Sequence, residues 1–179
     1  MFDQDRFIED CQAVLSSSQP SRYMRDVVAR AVSDPAALMA RLGTPQSGGL
    51  GVLHRAENLT ILNVQWQPKM VIMPHNHAMS AVIGVYSGRE DNILWRRLPD
   101  DANGRIEGAG AKTLSEKDTL VLGADVIHSV VNPIPRITGA IHVYFGDFFA
   151  AERSEWDPES LREMPYDMQK VMRMFAGQA

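Results

Sequence analysis

Apolar positions follow two rhythms along this chain, and the change between them falls near residue 45. In "DQDRFIEDCQAVL", Phe7, Ile8, Cys11 and Leu15 form one stripe at helical period, and "SRYMRDVVARAV" and "DPAALMARL" continue it. Asp34 suits an N-cap and Pro35 the first helical position. Residues 1–45 therefore read as a helical segment, closed by the punctuation "GTPQSGG". From Leu50 onward the apolar residues alternate with period two. That rhythm predicts strands at "GVLHRA", "LTILNVQW", "KMVIMPHNH", "SAVIGVYSG", "EDNILWRRL", "AGAKTLSE", "TLVLG", "DVIHSVVN" and "TGAIHVYFGDF".

Between those strands lie "EN", "SGRED", "PDDANGR" and "NPIPR", all turn chemistry. Many short strands at such spacing predict an all-β sandwich or barrel over residues 50–150. "SEWDPESL" and "YDMQKVMRMF" read as a closing helical segment over residues 151–179. With no internal repeat or linker, the 179 residues read as one domain, 1–179.

Composition narrows the function classes. Hydrophobic residues make up 45% and charged residues 22%, the balance of a globular protein. The net charge of −4 offers no basic field for nucleic acid or an anionic membrane. No apolar run approaches the ~20 residues of a membrane helix, and the start lacks the order of a secretory signal. A cytoplasmic protein is expected. Cys11, the single cysteine, can form neither an internal disulfide nor a cysteine cluster.

The candidate chemistry lies in the histidines. In "PHNHAMSAVIGVYSG", His75 and His77 stand at i and i+2, which in a strand places both rings on one face. Two imidazoles so placed can reach one metal at roughly 2.1 Å. Pro74 suggests a sheet edge or a strand start. His128 in "DVIHSVVN" supplies a third ligand from another strand. Metal candidates are thus His75, His77 and His128. In "AIHVYFG", His142 and Tyr144 alternate with Ile141 and Val143, so the two polar rings share a face.

These stretches resemble the two cupin motifs. Gly88 closes the first in place, but Ala81 stands where that motif usually has Glu; His128 and Asn132 match the H-x-x-x-N of the second. The chain resembles more closely the bacterial thiol dioxygenases, the cysteine and 3-mercaptopropionate dioxygenases. Like them it has a small residue in place of the Glu, a Gly-Val pair, Trp66 before the first motif, and a last strand similar to S-x-H-x-Y-x-G. The resemblance covers roughly residues 50–155.

It implies a double-stranded β-helix and a non-haem Fe(II) dioxygenase that oxidises a small thiol carboxylate to a sulfinate. His142 and Tyr144 would be catalytic and Arg153, nine residues beyond Tyr144, would bind the substrate. Arg55 lies in the general region where cysteine dioxygenases carry their carboxylate Arg, and it is a second candidate. Two departures stand out. The Ser of the last-strand motif is Ala140, so the hydroxyl that orients the His is missing, and no cysteine lies near the metal motif to crosslink the Tyr.

The chemistry agrees with the missing Glu. Three neutral imidazoles cancel none of the charge of a divalent metal, which favours an anionic bidentate substrate and leaves a position for dioxygen. Fe(II) is expected, with Ni, Mn or Zn able to use the same donors. The partners expected are a small-molecule substrate and dioxygen, with a homodimer left open and neither nucleic acid nor membrane involved. Two other readings stay open: a three-histidine dioxygenase cleaving a diketone or hydroxyketone, and a non-catalytic cupin binding metal and metabolite. "GREDNILWRRL", with Arg89, Arg96 and Arg97, reads as an exposed hairpin of alternating charge, with Trp95 in a core.

Overall fold

The computed structural model describes residues 1–177. Three helices open the chain: α1 (Gln4–Leu15), α2 (Pro20–Val32) and α3 (Pro35–Leu42). The expected cap is present, with the Asp34 carboxylate accepting from the Ala37 N–H at 3.1 Å. Among the described residues eleven strands follow: β1 (Gly49–Ala56), β2 (Leu59–Trp66), β3 (Val71–His75), β4 (Ala81–Ser87), β5 (Arg89–Arg97), β6 (Ile106–Ser115), β7 (Thr119–Leu122), β8 (Ile127–Val131), β9 (Thr138–Tyr144), β10 (Ser154–Trp156) and β11 (Glu163–Pro165). Helix α4 (Met168–Phe175) ends the described chain.

The strands form two antiparallel sheets, ordered β1-β2-β9-β4-β7 and β11-β10-β3-β8-β5-β6. This is the double-stranded β-helix expected from the sequence: mostly β, with helices before it and a short helix after. Alternation along the first sheet sorts its side chains. Leu59, Ile61, Val82, Tyr86, Ile141 and Val143 pack outward against the helices. Leu62, Val64, Ala81, Ile83, Ala140 and Tyr144 point into the space between the sheets. Gly84 lets α2 come close: a Cβ there would strike Val28 Cγ1. Gly88 turns β4 into β5 at φ +86°, where a side chain would also strike Thr138 Oγ1 at 2.5 Å.

One expectation is corrected. "SEWDPESL" is not helical: it begins with β10 and runs through a turn toward β11. Burial decides this. Trp156 is fully buried beside Ile106 and Ile127, with its indole N–H on the Gly104 carbonyl at 2.8 Å. Glu155 is drawn inside to accept from the Asp167 N–H at 3.0 Å and Lys170 Nζ at 2.8 Å. The rest of the segment, α4, places Val171 and Phe175 over the open end of the interior.

Candidate metal centre

His75 and His128 face each other directly in the β3–β8 pair. The register slips between Ile72 and His75, around Pro74. Pro74 thus sits at an irregularity in a strand flanked on both sides, by β8 and β10, and not at a sheet edge. Its missing N–H is tolerated where the ladder is already broken. His77 lies just beyond the end of β3, in a loop, so the simple strand argument does not place it. Asn76 does: its N–H donates to the Ser154 carbonyl at 3.1 Å, and its Oδ1 accepts from the Ser154 N–H at 2.9 Å.

Ligand nitrogens of His75, His77 and His128 lie within 4.8 Å of one another, all buried. His77 Nε2 is 3.2 Å from His128 Nε2. His75 Nδ1–H donates to the Met73 carbonyl at 3.0 Å, which leaves its Nε2 lone pair free. Burial lowers His75 to about 4 and holds His77 and His128 well below the usual range, with their mutual repulsion adding to it. Three neutral imidazoles crowded at one buried point fit a divalent metal ion. Ala81 lies opposite Tyr144 in the β4–β9 pair and places no carboxylate beside the phenol.

Beside this cluster β9 brings His142 and Tyr144 together, His142 Nδ1 to Tyr144 Oη at 3.1 Å. The Tyr144 ring stands edge-on to His77, centroids 4.9 Å apart, and against Phe148 at 4.4 Å. Burial pushes the Tyr144 hydroxyl far above the usual range, and the Arg153 charge pulls it partly back. On the other side of His142 lies Glu90, fully buried, with Oε2 3.2 Å from Nε2. Burial alone would raise that carboxyl. The neighbouring His142 and hydrogen bonds from His142, Asn92 and Trp66 outweigh it and hold Glu90 below the carboxylate range.

The two candidate arginines part company. Arg153 is half-buried, its guanidinium stacked between Phe148 (4.1 Å) and Tyr166 (4.2 Å). Nη1 donates to the Phe148 carbonyl, while Nε and Nη2 are buried without a hydrogen-bond partner among the described residues. Arg55 is exposed and spends its fork on Asp147, at 2.9–3.1 Å. It does not line the interior cavity. His54 likewise faces Gln12 of α1, with 3.5 Å between nitrogens.

Between the sheets a cavity of about 30 Å³ is lined by His75, His142, Tyr144, Phe148, Tyr166 and Trp66, with α4 above. That is room for one small molecule the size of water. Tyr166 also borders an outer groove of about 750 Å³, which Arg153 lines, so Tyr166 stands between the inner cavity and that groove.

Sequence reasoning missed Glu90, Asn92 and Tyr166. "GREDNILWRRL" does carry exposed ion pairs, Arg89–Asp91 and Arg96–Glu107, and Trp95 packs half-buried against Ile127 on the face opposite Glu90. The intervening Glu90 and Asn92 point the opposite way and are fully buried. Their shared parity with Leu94 is the signal that could have found them, but Ile93 and Trp95 on the other parity mask it. Asn132, which ends the second motif, is structural: its amide donates to the carbonyls of Trp66, Gln67 and Arg136.

No family model matches the chain, and no curated protein matches it. Solved structures do. A conserved Klebsiella pneumoniae protein with a double-stranded β-helix domain is similar at 13% identity over 63% of this chain and 81% of that one, TM-score 0.46. Bacillus subtilis oxalate decarboxylase OxdC is similar at 19% identity over 53% of this chain, TM-score 0.41. This chain covers only 23% of that enzyme's length. DMSP lyase DddQ of Ruegeria pomeroyi is similar at 15% identity over 58% of this chain and 46% of that one, TM-score 0.44. These are likenesses of fold, and the functional reading rests on the site. Among the described residues, no helix is long and apolar enough to cross a membrane.

Proposed function

We propose that the chain is a metal-dependent thiol dioxygenase that converts a small carboxylate-bearing thiol and one dioxygen to the corresponding sulfinic acid. The observation that carries this reading is Arg153. Its Nε and Nη2 are buried and unpartnered, and they are the two donors that grip a carboxylate side-on. An arginine held between two aromatic rings loses little further entropy when it binds.

The other residues divide the remaining work. His75, His77 and His128 would hold Fe(II), which supplies the redox chemistry with dioxygen; nickel, manganese or zinc suit the same donors. Tyr144 and His142 form a proton-handling pair beside the ligands, able to pass a proton between Oη and Nδ1 across 3.1 Å. Phe148, Trp66 and Phe175 of α4 give the cavity an apolar wall beside this pair, and polar contacts are stronger against such a wall than in open solvent.

Oxygen uptake and sulfinate formation by the Fe(II)-loaded protein, with 3-mercaptopropionate and with cysteine, test the proposal. One sulfinate per dioxygen consumed is expected from at least one of them. No sulfinate from either, at full iron loading, overturns it; oxygen uptake with a diketone alone would move the assignment to carbon–carbon cleavage.

A further inference from the structure

The thiol dioxygenase pattern puts a serine hydroxyl where this chain has Ala140, yet His142 is not left without an orienting partner. We propose that Glu90 is the positioning residue of the site, a buried carboxylate that fixes the hydrogen-bond direction of both His142 and the metal ligand His128. The inference deepens the reading above and rests on it for the role of the His142–Tyr144 pair.

Glu90 is fully buried in β5, and three donors surround it. The Trp66 indole N–H, which can only donate, reaches Oε2 at 2.7 Å. His142 Nε2 reaches the same oxygen at 3.2 Å, and Asn92 Nδ2 reaches Oε1 at 3.0 Å. An ionised carboxylate only accepts, so His142 must carry a proton on Nε2. Its Nδ1 then faces the Tyr144 hydroxyl, as a proton acceptor while the imidazole is neutral. This is the order carboxylate, imidazole, hydroxyl: the acid holds the ring in one tautomer and steadies the imidazolium when the hydroxyl proton moves to it.

The second arm runs through Asn92. With its amide nitrogen on Glu90, Asn92 can offer only Oδ1 to its other side, where His128 Nδ1 lies at 2.7 Å. His128 therefore donates from Nδ1 and keeps the Nε2 lone pair for the metal point. Glu90 and Asn92 stand two apart on one strand and so share a face, which is how one strand reaches both the ligand and the proton-handling pair. Ala140 lies on the same interior side as His142, in a strand position filled by apolar neighbours Val64 and Val85. The oriented acceptor has moved from β9 to β5.

The test combines two readouts. In Zn(II)-loaded protein labelled with ¹⁵N-histidine, long-range proton–nitrogen correlation spectra report which ring nitrogen carries hydrogen. Expected for the wild type are a proton on His142 Nε2, shifted downfield by the carboxylate, and a proton on His128 Nδ1. Glu90→Gln should lose the downfield His142 signal, whereas Glu155→Gln, at a buried carboxylate outside the network, should leave it in place. In the Fe(II) enzyme at equal iron content, Glu90→Gln should lower kcat roughly 10- to 100-fold with KM for the thiol little changed. A wild-type His142 protonated on Nδ1 alone overturns the inference and needs no variant to fold. So does a Glu90→Gln protein with wild-type tautomers and kcat. Absence of turnover in the wild type would count against the dioxygenase reading only, because the nitrogen spectra decide the Glu90 assignment without turnover.

Discussion

The two faces of β9 run through unlike surroundings. Outward, Ile141 and Val143 enter a core shared with α1, α2 and α3, made of apolar side chains such as Met24, Val28 and Leu38. Cys11 belongs to that core, its thiol pushed up to about 12 chiefly by burial, which leaves it an inert packing group. Inward, Ala140, His142 and Tyr144 face Glu90, Trp66 and the three histidines. Each buried polar group there needs a specific partner, because an unpaired one costs far more than a methyl group would. The fold thus keeps a forgiving core on one side of a sheet and an exacting one on the other, a single residue step apart.

That contrast breaks most visibly at the ligands. His128→Ala should lose most of the bound iron and with it the activity, while far-ultraviolet circular dichroism stays that of the folded chain. Full stoichiometric iron in this variant would remove His128 from the ligand set. Next in size comes Tyr144→Phe, which keeps the ring and its packing on Phe148 but removes the hydroxyl. Turnover should fall roughly 10- to 10,000-fold with iron retained; wild-type turnover would return Tyr144 to a packing role.

Acid sharpens the contrast without any substitution. In the metal-free protein the three ligand histidines are held neutral by burial, His75 down to about 4. In the unfolded chain they take up protons near pH 6.5. Folded pKa values below unfolded ones mean that stability is full above about pH 6.5 and drains away as pH falls toward about 4. For His75 alone the loss is about 3 kcal/mol at 1.36 kcal/mol per unit. Urea midpoints of chelator-treated protein across that window measure it, and bound zinc should blunt the loss near its upper end. A flat profile between pH 7 and 5 would contradict the neutral cluster.

The outer face should answer differently. Ile141→Ala removes a fully buried side chain from the helix–sheet core, at roughly 2–5 kcal/mol of stability. Iron content and kcat at 15 °C should stay near wild type, since nothing polar depends on that side chain. An equal loss of kcat at full folding would show that the two faces are coupled.

How much of this was legible in the sequence follows the same divide. Period-two alternation placed His142 and Tyr144 on one face, Ile141 and Val143 on the other, and all four are where alternation predicts. The N-terminal helices were readable because their stripe is clean and Asp34 caps its helix. β5 was not, because apolar residues lie on both parities and the charges that mark its exposed side also drew Glu90 and Asn92 into that reading. "SEWDPESL" failed for another reason: the bridge from Glu155 to His75 and the burial of Trp156 are long-range contacts that no local pattern announces. The strand that was to carry His77 ends two residues too soon, and Asn76 with Ser154 supplies the geometry that brings it beside His75 and His128.

The smallest effect concerns the two arginines that resemblance alone offered as substrate anchors. Arg55 sits at the surface over Phe149, with its fork already satisfied by Asp147. Solvent screens such a pair, so Arg55→Met should move the thermal midpoint by no more than roughly 2 °C and leave KM unchanged. Arg153 is the counterpart with two buried donors free. Arg153→Met should raise KM for 3-mercaptopropionate roughly 10- to 100-fold, the worth of a lost charged hydrogen-bond pair. It should also abolish the preference for that substrate over ethanethiol, which has no carboxylate to grip. An unchanged KM in Arg153→Met would mean that Nε and Nη2 of Arg153 do not face the substrate, and a raised KM in Arg55→Met instead would move the carboxylate site to Arg55.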